Sequence, residues 1–171
     1  MGENRTCPVR VFLSLGSNLG EKEKNISRAK ELLKKKGIEI IKESSIYLTA
    51  PWGKKDQPWF LNQVIEVATS LPPEELLDLI KGIEKELGRE KGEKWGPRII
   101  DLDILFYGEK IINLPSLTIP HPYLHERAFV LIPLTEIAPE FVHPVLKRKA
   151  KELKEKVAEE EVKKWEEKNV V

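Results

Sequence analysis

The chain has 171 residues, enough for one domain with a core of its own. Hydrophobic residues make up 40% and charged residues 33%, a globular composition with a heavily charged surface. Its 29 basic and 28 acidic side chains nearly cancel, to a net charge of +1. That balance argues against a dedicated duplex-DNA binder, and no apolar run reaches the length of a membrane span. Lys and Glu dominate the charge, the compositional signal of heat-adapted proteins. The single cysteine, Cys7, has no internal partner, so a reducing compartment and a cytoplasmic location are expected. Met1 to Arg10 has no apolar stretch of the kind a secretory signal needs. Met1-Gly2 with Thr6 fits the short N-myristoylation pattern, which is too loose to carry a reading.

Val9 to Leu15 is a short apolar run ended by Gly16-Ser17-Asn18, and predicts a buried strand followed by a turn. Ile26, Ala29 and Leu33 recur at helical spacing among charged residues, and Gly37 closes that helix. Ile38 to Leu48 predicts a second strand. Pro51, Gly53 and Pro58 break the next stretch into a loop, and Asn62 to Leu71 predicts a third strand. Ser70 is a cap candidate for a helix opened by Pro72, Pro73, Glu74 and Glu75. Leu76, Ile80, Ile83 and Leu87 line one face of that helix, and Gly88 ends it. Residues 88–97 are polar and glycine-rich, which predicts an exposed, mobile loop. Ile99 to Tyr107 is a strongly apolar fourth strand, interrupted only by Asp101 and Asp103. Gly108-Glu109-Lys110 predicts a turn into a short returning strand at Ile111-Ile112. A proline-rich stretch, 115–122, then leads to an apolar helix from about Glu126 to Ile137. In the tail, Ala150, Leu153 and Val157 at helical spacing predict a terminal helix over 146–168. The order strand, helix, strand, strand, helix, strand predicts an α+β, ferredoxin-like βαββαβ core. Its sheet should be mainly antiparallel with helices on one face, plus C-terminal helices, in a single domain over 1–171.

The strongest chemical signal is Arg98-Ile99-Ile100-Asp101-Leu102-Asp103. On a strand Asp101 and Asp103 point the same way, with Cα atoms roughly 7 Å apart. Ile100, Leu102 and Ile104 point the other way, into a core. Two carboxylates in an apolar strand need a compensating charge, and magnesium is commonly held by one or two carboxylates plus substrate phosphates. Arg89, Lys91, Lys94 and Arg98 lie just upstream and supply phosphate donors. Gly16-Ser17-Asn18-Leu19-Gly20 is followed by Glu21-Lys22-Glu23 and so is no P-loop, and the dinucleotide glycine pattern is absent. Trp52, Trp59, Phe60 and Asn62, with Phe129 after Arg127, are the ring and amide types that grip a flat heteroaromatic ligand; core packing is the bland alternative for Phe60 and Phe129. His121 and His125 are spaced i, i+4 but Pro122 interrupts them, which argues against helical zinc.

These residues together resemble the 6-hydroxymethyl-7,8-dihydropterin pyrophosphokinase family of folate biosynthesis. The resemblance runs from about Val11 to Pro144. It rests on Gly16-Ser17-Asn18-Leu19-Gly20, on Asp56-Gln57-Pro58-Trp59-Phe60-Leu61-Asn62, on Trp95 to Asp103, and on Pro120-His121-Pro122 with Glu126-Arg127-Ala128-Phe129. It implies transfer of a diphosphate from ATP to the pterin's hydroxymethyl group, with release of AMP. It also implies that Asp101 and Asp103 hold two magnesium ions. Arg89, Lys91, Trp95, Arg98, His121 and Arg127 would surround the triphosphate, with Arg89 and Arg98 acting in catalysis. Lys81 and Glu84 would contact the nucleotide. Phe60 and Phe129 would sandwich the pterin, while Thr49, Asn62 and the backbone around Ala50 and Trp52 would read its polar edge. Two departures stand out: Lys91 takes the place of the family's usual second arginine, and the stretch from Arg89 to Trp95 is one residue shorter.

The main rival is a non-catalytic ferredoxin-like module that binds nucleotides or RNA. It would need basic residues interleaved with aromatics on the sheet face, where this chain carries Asp101 and Asp103. A glycosyltransferase also uses Asp-x-Asp for a metal–nucleotide pair, but usually on a larger α/β domain. Small-molecule substrates are therefore expected, with no nucleic acid or membrane partner, in a monomer or weak homodimer.

Overall fold

The computed structural model describes residues 8–50, 56, 58–88, 99–157 and 162–165. The loop expected at 88–97 falls, from residue 89 onward, outside the described residues. The elements in order are β1 Val9–Ser17, α1 Lys22–Lys35, β2 Glu39–Glu43, β3 Tyr47–Thr49, β4 Phe60–Thr69 and α2 Pro73–Glu86. There follow β5 Asp101–Tyr107, β6 Ile112–Leu114, β7 Leu117–Ile119, α3 Ala128–Ile137, α4 Ala150–Lys154 and β8 Val162–Lys164. The main sheet runs β5-β1-β4-β3-β8, with β2 also on β4, and every pairing is antiparallel. β4 thus lies between β1 and the β2/β3 pair, the split arrangement of the ferredoxin-like fold.

Strand alternation sorts the apolar residues into two cores. Val11, Leu13 and Leu15 of β1, Leu61, Ile65 and Val67 of β4, and Leu102 and Ile104 of β5 meet Ile26, Leu33, Leu76, Ile80 and Ile83 of α1 and α2. On the opposite face Phe12, Val64, Leu105 and Phe106 meet Val130, Leu131 and Leu134 of α3 and Leu153 of α4. So the two helices of the expected core share one face, and the C-terminal helices cover part of the other. A bulge at Leu105, where pairing shifts from Phe12↔Phe106 to Leu13↔Ile104, lets both Leu105 and Phe106 enter the second core. There Phe12, Phe106 and Phe141 pack with centroids 4.7 to 6.1 Å apart.

Several expectations are corrected. β1 continues through Ser17 rather than stopping at Leu15, because Gly16 and Ser17 still pair with β4. The strand expected over Ile38 to Leu48 is two strands. At the break Ser44 N–H still donates to the Val64 carbonyl (2.9 Å), but the Ser44 hydroxyl accepts the Val64 N–H (3.1 Å) and Gln63 Nε2 donates to the Ser44 carbonyl (2.6 Å), so side chains take over part of the ladder. Ser70 does not cap α2; Pro72, extended at φ −61° and ψ 159°, occupies that position, with Pro73 in the first turn. The strand after Gly108 does not return along β5: β6 pairs with β7 in a separate two-stranded sheet. The apolar helix starts at Ala128, after a single 3-10 turn at Leu124–Glu126. Among the described residues, the helix expected over 146–168 appears as the five residues of α4, and β8 instead adds a strand to β3. Lysine-rich β8 had no alternation strong enough to mark it as a strand.

Phe12 is fully buried at the centre of the second core. Phe12→Ala is therefore expected to lower stability by about 3–5 kcal/mol in urea unfolding. A loss below ~1 kcal/mol would mean that this face is only loosely packed.

Candidate active site

One level of the sheet organises the site. Asp101 lies opposite Gly16, Gly16 opposite Asn62, and Asn62 opposite Tyr47. Paired residues share a face, and this is the face on which α3 packs. At ~4.8 Å per strand, Asp101 sits about 10 Å from Asn62. Between them Gly16 presents no side chain. A Cβ there would lie 2.6 Å from Asn62 Oδ1 and 3.5 Å from Phe60 Cδ2, so only glycine leaves the floor open.

On the acidic side, Asp103 is one step further along β5 and opposite Ser14. Burial pushes its carboxyl up to about 6, helped by the Asp101 and Glu84 carboxylates and opposed by Lys81 and Arg127. A carboxylate whose charge is this poorly accommodated fits a cation-binding role. Among the described residues no group of three or more His, Cys, Asp or Glu side chains could hold a metal. Asp101 and Asp103 are the carboxylate pair on this face, and such a pair could hold magnesium that takes its remaining oxygens from water and phosphate. Glu84 is 2% exposed, and its Oε2 accepts the Leu102 N–H at 2.7 Å. It caps the open edge of β5 between the two aspartates, while Lys81 Nζ sits 3.7 Å from its other oxygen.

His121 and Arg127 come from the segment between β7 and α3. Burial, then the Arg127 charge, push His121 down to about 4, so it is neutral near pH 7. Its Nδ1 accepts the Tyr123 N–H at 3.3 Å, which leaves the proton on Nε2 as a donor. The Arg127 guanidinium carbon is 5.5 Å from the Phe129 ring centroid and 5.5 Å from that of Tyr123. Its charge acts on Asp103, so cation and carboxylate belong to one site.

On the amide side, Asn62 Nδ2 donates to Thr49 Oγ1 at 2.6 Å, and both residues are buried. Phe60 and Asn62, two apart on β4, share a face. Phe60 and Phe129 are only half-buried, unlike the core phenylalanines Phe12 and Phe106. Ala50 directly follows β3 and is half-buried. Trp52, Arg89, Lys91, Trp95 and Arg98 lie outside the described residues.

Three contributors were not legible as site residues. Gly16 read as the end of a strand rather than its open floor. Asn18, fully buried, donates from Nδ2 to the Pro58 carbonyl at 3.0 Å. Lys22 Nζ donates to the Trp59 carbonyl at 2.8 Å, and burial lowers its pKa. Asn18 and Lys22 therefore anchor the two residues that lead into Phe60. The glycine and asparagine of the Gly16–Gly20 motif were visible, but their targets 40 residues on were not.

The ferredoxin-like sheet thus brings a carboxylate pair, an amide and two half-buried rings to one face. The model for 7,8-dihydro-6-hydroxymethylpterin-pyrophosphokinase matches residues 12–139, and the chain belongs to that family. The chain is 46% identical over 144 residues to the 2-amino-4-hydroxy-6-hydroxymethyldihydropteridine pyrophosphokinase of Aquifex aeolicus, covering 84% of this chain and 89% of the relative. It is 50% identical over 161 residues to the folic acid synthesis protein fol1 of Pneumocystis carinii, covering 94% of this chain but only 22% of that longer protein. Among solved structures, the wild-type HPPK-DHPS of Plasmodium falciparum matches with a TM-score of 0.70 at 21% identity, over 87% of this chain and 42% of that one. At that identity the match speaks for the fold.

The raised Asp103 carboxyl has a consequence for stability. Between its ordinary value of 3.8 and about 6 the folded state binds more protons than the unfolded chain, so stability falls as pH rises through that window. Asp103→Asn is expected to raise the melting temperature of the ligand-free protein at pH 7. The gain should shrink below pH 6 and vanish near 3.8, as thermal melts across pH will show. A mutant with the wild-type pH dependence would remove Asp103 as its source.

Proposed function

We propose that this chain transfers a diphosphate group from ATP to the hydroxymethyl oxygen of 6-hydroxymethyl-7,8-dihydropterin, releasing AMP, as a step of folate biosynthesis. The observation that carries the reading is the level Asp101–Gly16–Asn62. It sets a carboxylate pair and an amide edge about two strand spacings apart across a floor with no side chain. A pterin read by Asn62 and Thr49, and stacked between Phe60 and Phe129, would extend its hydroxymethyl arm over Gly16 toward the aspartates.

The new bond joins the hydroxymethyl oxygen to the β-phosphorus of ATP, the bond from that phosphorus to the α–β bridging oxygen breaks to release AMP, and the hydroxyl proton passes to solvent. Two magnesium ions, held by Asp101 and Asp103, would neutralise the phosphate charge and polarise the reacting groups. His121 offers its Nε2–H and Arg127 its guanidinium to phosphate oxygens. Arg89, Lys91, Trp95 and Arg98 complete the phosphate surround, with Arg89 and Arg98 acting on the transferring group. Lys81 and Glu84 are the nucleotide contacts on α2, and Glu84, through the Leu102 N–H, also keeps its edge of β5 in place. Catalysis on this reading is mostly positioning and charge neutralisation. The whole chain acts as one such domain, as a monomer or weak homodimer in the cytoplasm. No helix among the described residues is long and apolar enough to cross a membrane. The RNA-binding alternative has nothing in its favour, since the sheet face it would use carries Asp101 and Asp103.

Protein incubated with ATP, magnesium and the hydroxymethyl dihydropterin should yield AMP; ADP as the product would point to a simple kinase. Asp101→Asn and Asp103→Asn are each expected to cut turnover by roughly a thousand-fold or more while the protein stays folded. Wild-type rates from either would refute the metal assignment.

Gly16→Ala separates the two substrates. It should raise KM for the pterin by about ten-fold or more, the cost of moving a hydrogen-bonded buried amide. KM for ATP should change little. Equal loss for both substrates would place Gly16 outside the pterin path.

A further inference from the structure

The C-terminal strand β8 lies beyond the family match, which ends at residue 139. β3, only three residues long, would otherwise form the rim of the sheet beside the amide side of the site. A strand that short, paired on one side, frays easily. In this chain β3 is held from three directions. β4 pairs with it through Tyr47↔Asn62, Leu48↔Leu61 and Thr49↔Phe60. β8 pairs with its other edge through Tyr47↔Lys164, Leu48↔Lys163 and Thr49↔Val162. Just past β8, Trp165 N–H donates to the Ile46 carbonyl at 2.8 Å, and its side chain packs against the main core. The third hold comes from α3. Glu136 accepts from Ser45 N–H at 2.9 Å, from Ser45 Oγ at 2.8 Å and from Tyr47 OH at 2.9 Å. Lys164, on the same face as Tyr47, adds an opposite charge near that carboxylate.

We infer that β8 is a positioning element for the pterin: by clamping the outer edge of β3 it keeps Thr49, and through Thr49 the Asn62 amide, in register for the substrate's polar edge. This rests on the reading of Thr49 and Asn62 as pterin-edge groups. The chain of contact is short. Val162 is the direct cross-strand neighbour of Thr49, and Thr49 Oγ1 is the acceptor that orients Asn62 Nδ2. If β3 drifted outward, the buried Asn62 amide would lose that acceptor and could turn away from its set direction. The same strap runs to the helix that carries Phe129, because Glu136 belongs to α3. β3 is thus tied to the tail through β8 and to α3 through Glu136, while the aspartates on β5, at the far edge of the sheet, are tied to neither.

The test uses the full-length chain and steady-state kinetics with each substrate varied in turn. Lys163 is exposed in the middle of β8, and Lys163→Pro disrupts the pairing without touching either core. It should raise KM for the hydroxymethyl dihydropterin by roughly three- to ten-fold, the range one lost hydrogen bond converts to. KM for ATP and kcat should stay within about two-fold. Lys163→Thr keeps the strand and should leave all three near wild type. Trp165→Ala, an independent release of the same clamp, should reproduce the pterin-selective rise. Unchanged pterin KM in both Lys163→Pro and Trp165→Ala overturns the inference, as does an equal rise for both substrates. Thr49→Val serves as the reference. If it leaves pterin KM unchanged, the Thr49 reading fails and the inference falls with it. If it raises pterin KM while the β8 variants do not, the reading stands and the clamp alone is wrong.

Discussion

The site depends on a place where nothing stands. Gly16 occupies the central level of the sheet between the carboxylates of β5 and the amide of β4, and the gap it leaves joins two half-sites into one. Each half makes a different demand on its neighbours. The acids require counter-charge, which comes from Arg127 and Lys81 and which Asp103 still finds insufficient. The amide requires a fixed direction, which comes from Thr49 at 2.6 Å. A side chain at Gly16 would strike Asn62 first, so the constraint on the floor is set by the amide rather than by the acids.

The fold supplies these demands by dividing its labour between the faces of one sheet. α1 and α2 cover one face with Leu, Ile and Ala side chains, which fixes the strands against each other. α3 and α4 fill only the part of the other face around Phe12 and Phe106. The remaining part of that face is where polar residues can sit half-buried without crowding a core. Charged groups there are poorly solvated, and that raises the strength of their interactions with a ligand as well as their cost without one. Glu84 is an acid sunk into the packed side, and it is tolerated because it receives a backbone N–H on the open rim of β5.

Periodicity made much of this legible in the sequence. The alternation of Ile100, Leu102 and Ile104 against Asp101 and Asp103 gave both the strand and the direction of the acids, since a two-residue repeat leaves no other solution. The helix faces of α1 and α2 followed from their three- and four-residue spacing in the same way. Non-local contacts were not legible. Asn18 reaching Pro58, Lys22 reaching Trp59, and Glu136 reaching Ser45 and Tyr47 join residues 37 to 91 positions apart, and no local pattern announces them. The split between β2 and β3 is hidden because part of the backbone pairing there goes to side chains, the Val64 N–H to the Ser44 hydroxyl and the Ser45 N–H to the Glu136 carboxylate, which composition does not reveal. The sequence suggests helix across β8 because Lys and Glu mark a wet surface equally well on either element.

The bulge at Leu105 gives strand β5 one position at which its length is free to change. Everywhere else along β5 the two-residue period binds position to face, so an inserted or lost residue would rotate the aspartates into the apolar core and Leu102 out of it. At the bulge the count is already one in excess of the partner strand. Losing Leu105 would leave Ile104 opposite Leu13 and Phe106 opposite Phe12, with both acids still facing the site. Lineages descended from such a strand can therefore differ by a residue between the acidic dyad and the tyrosine at its end without exchanging inside for outside.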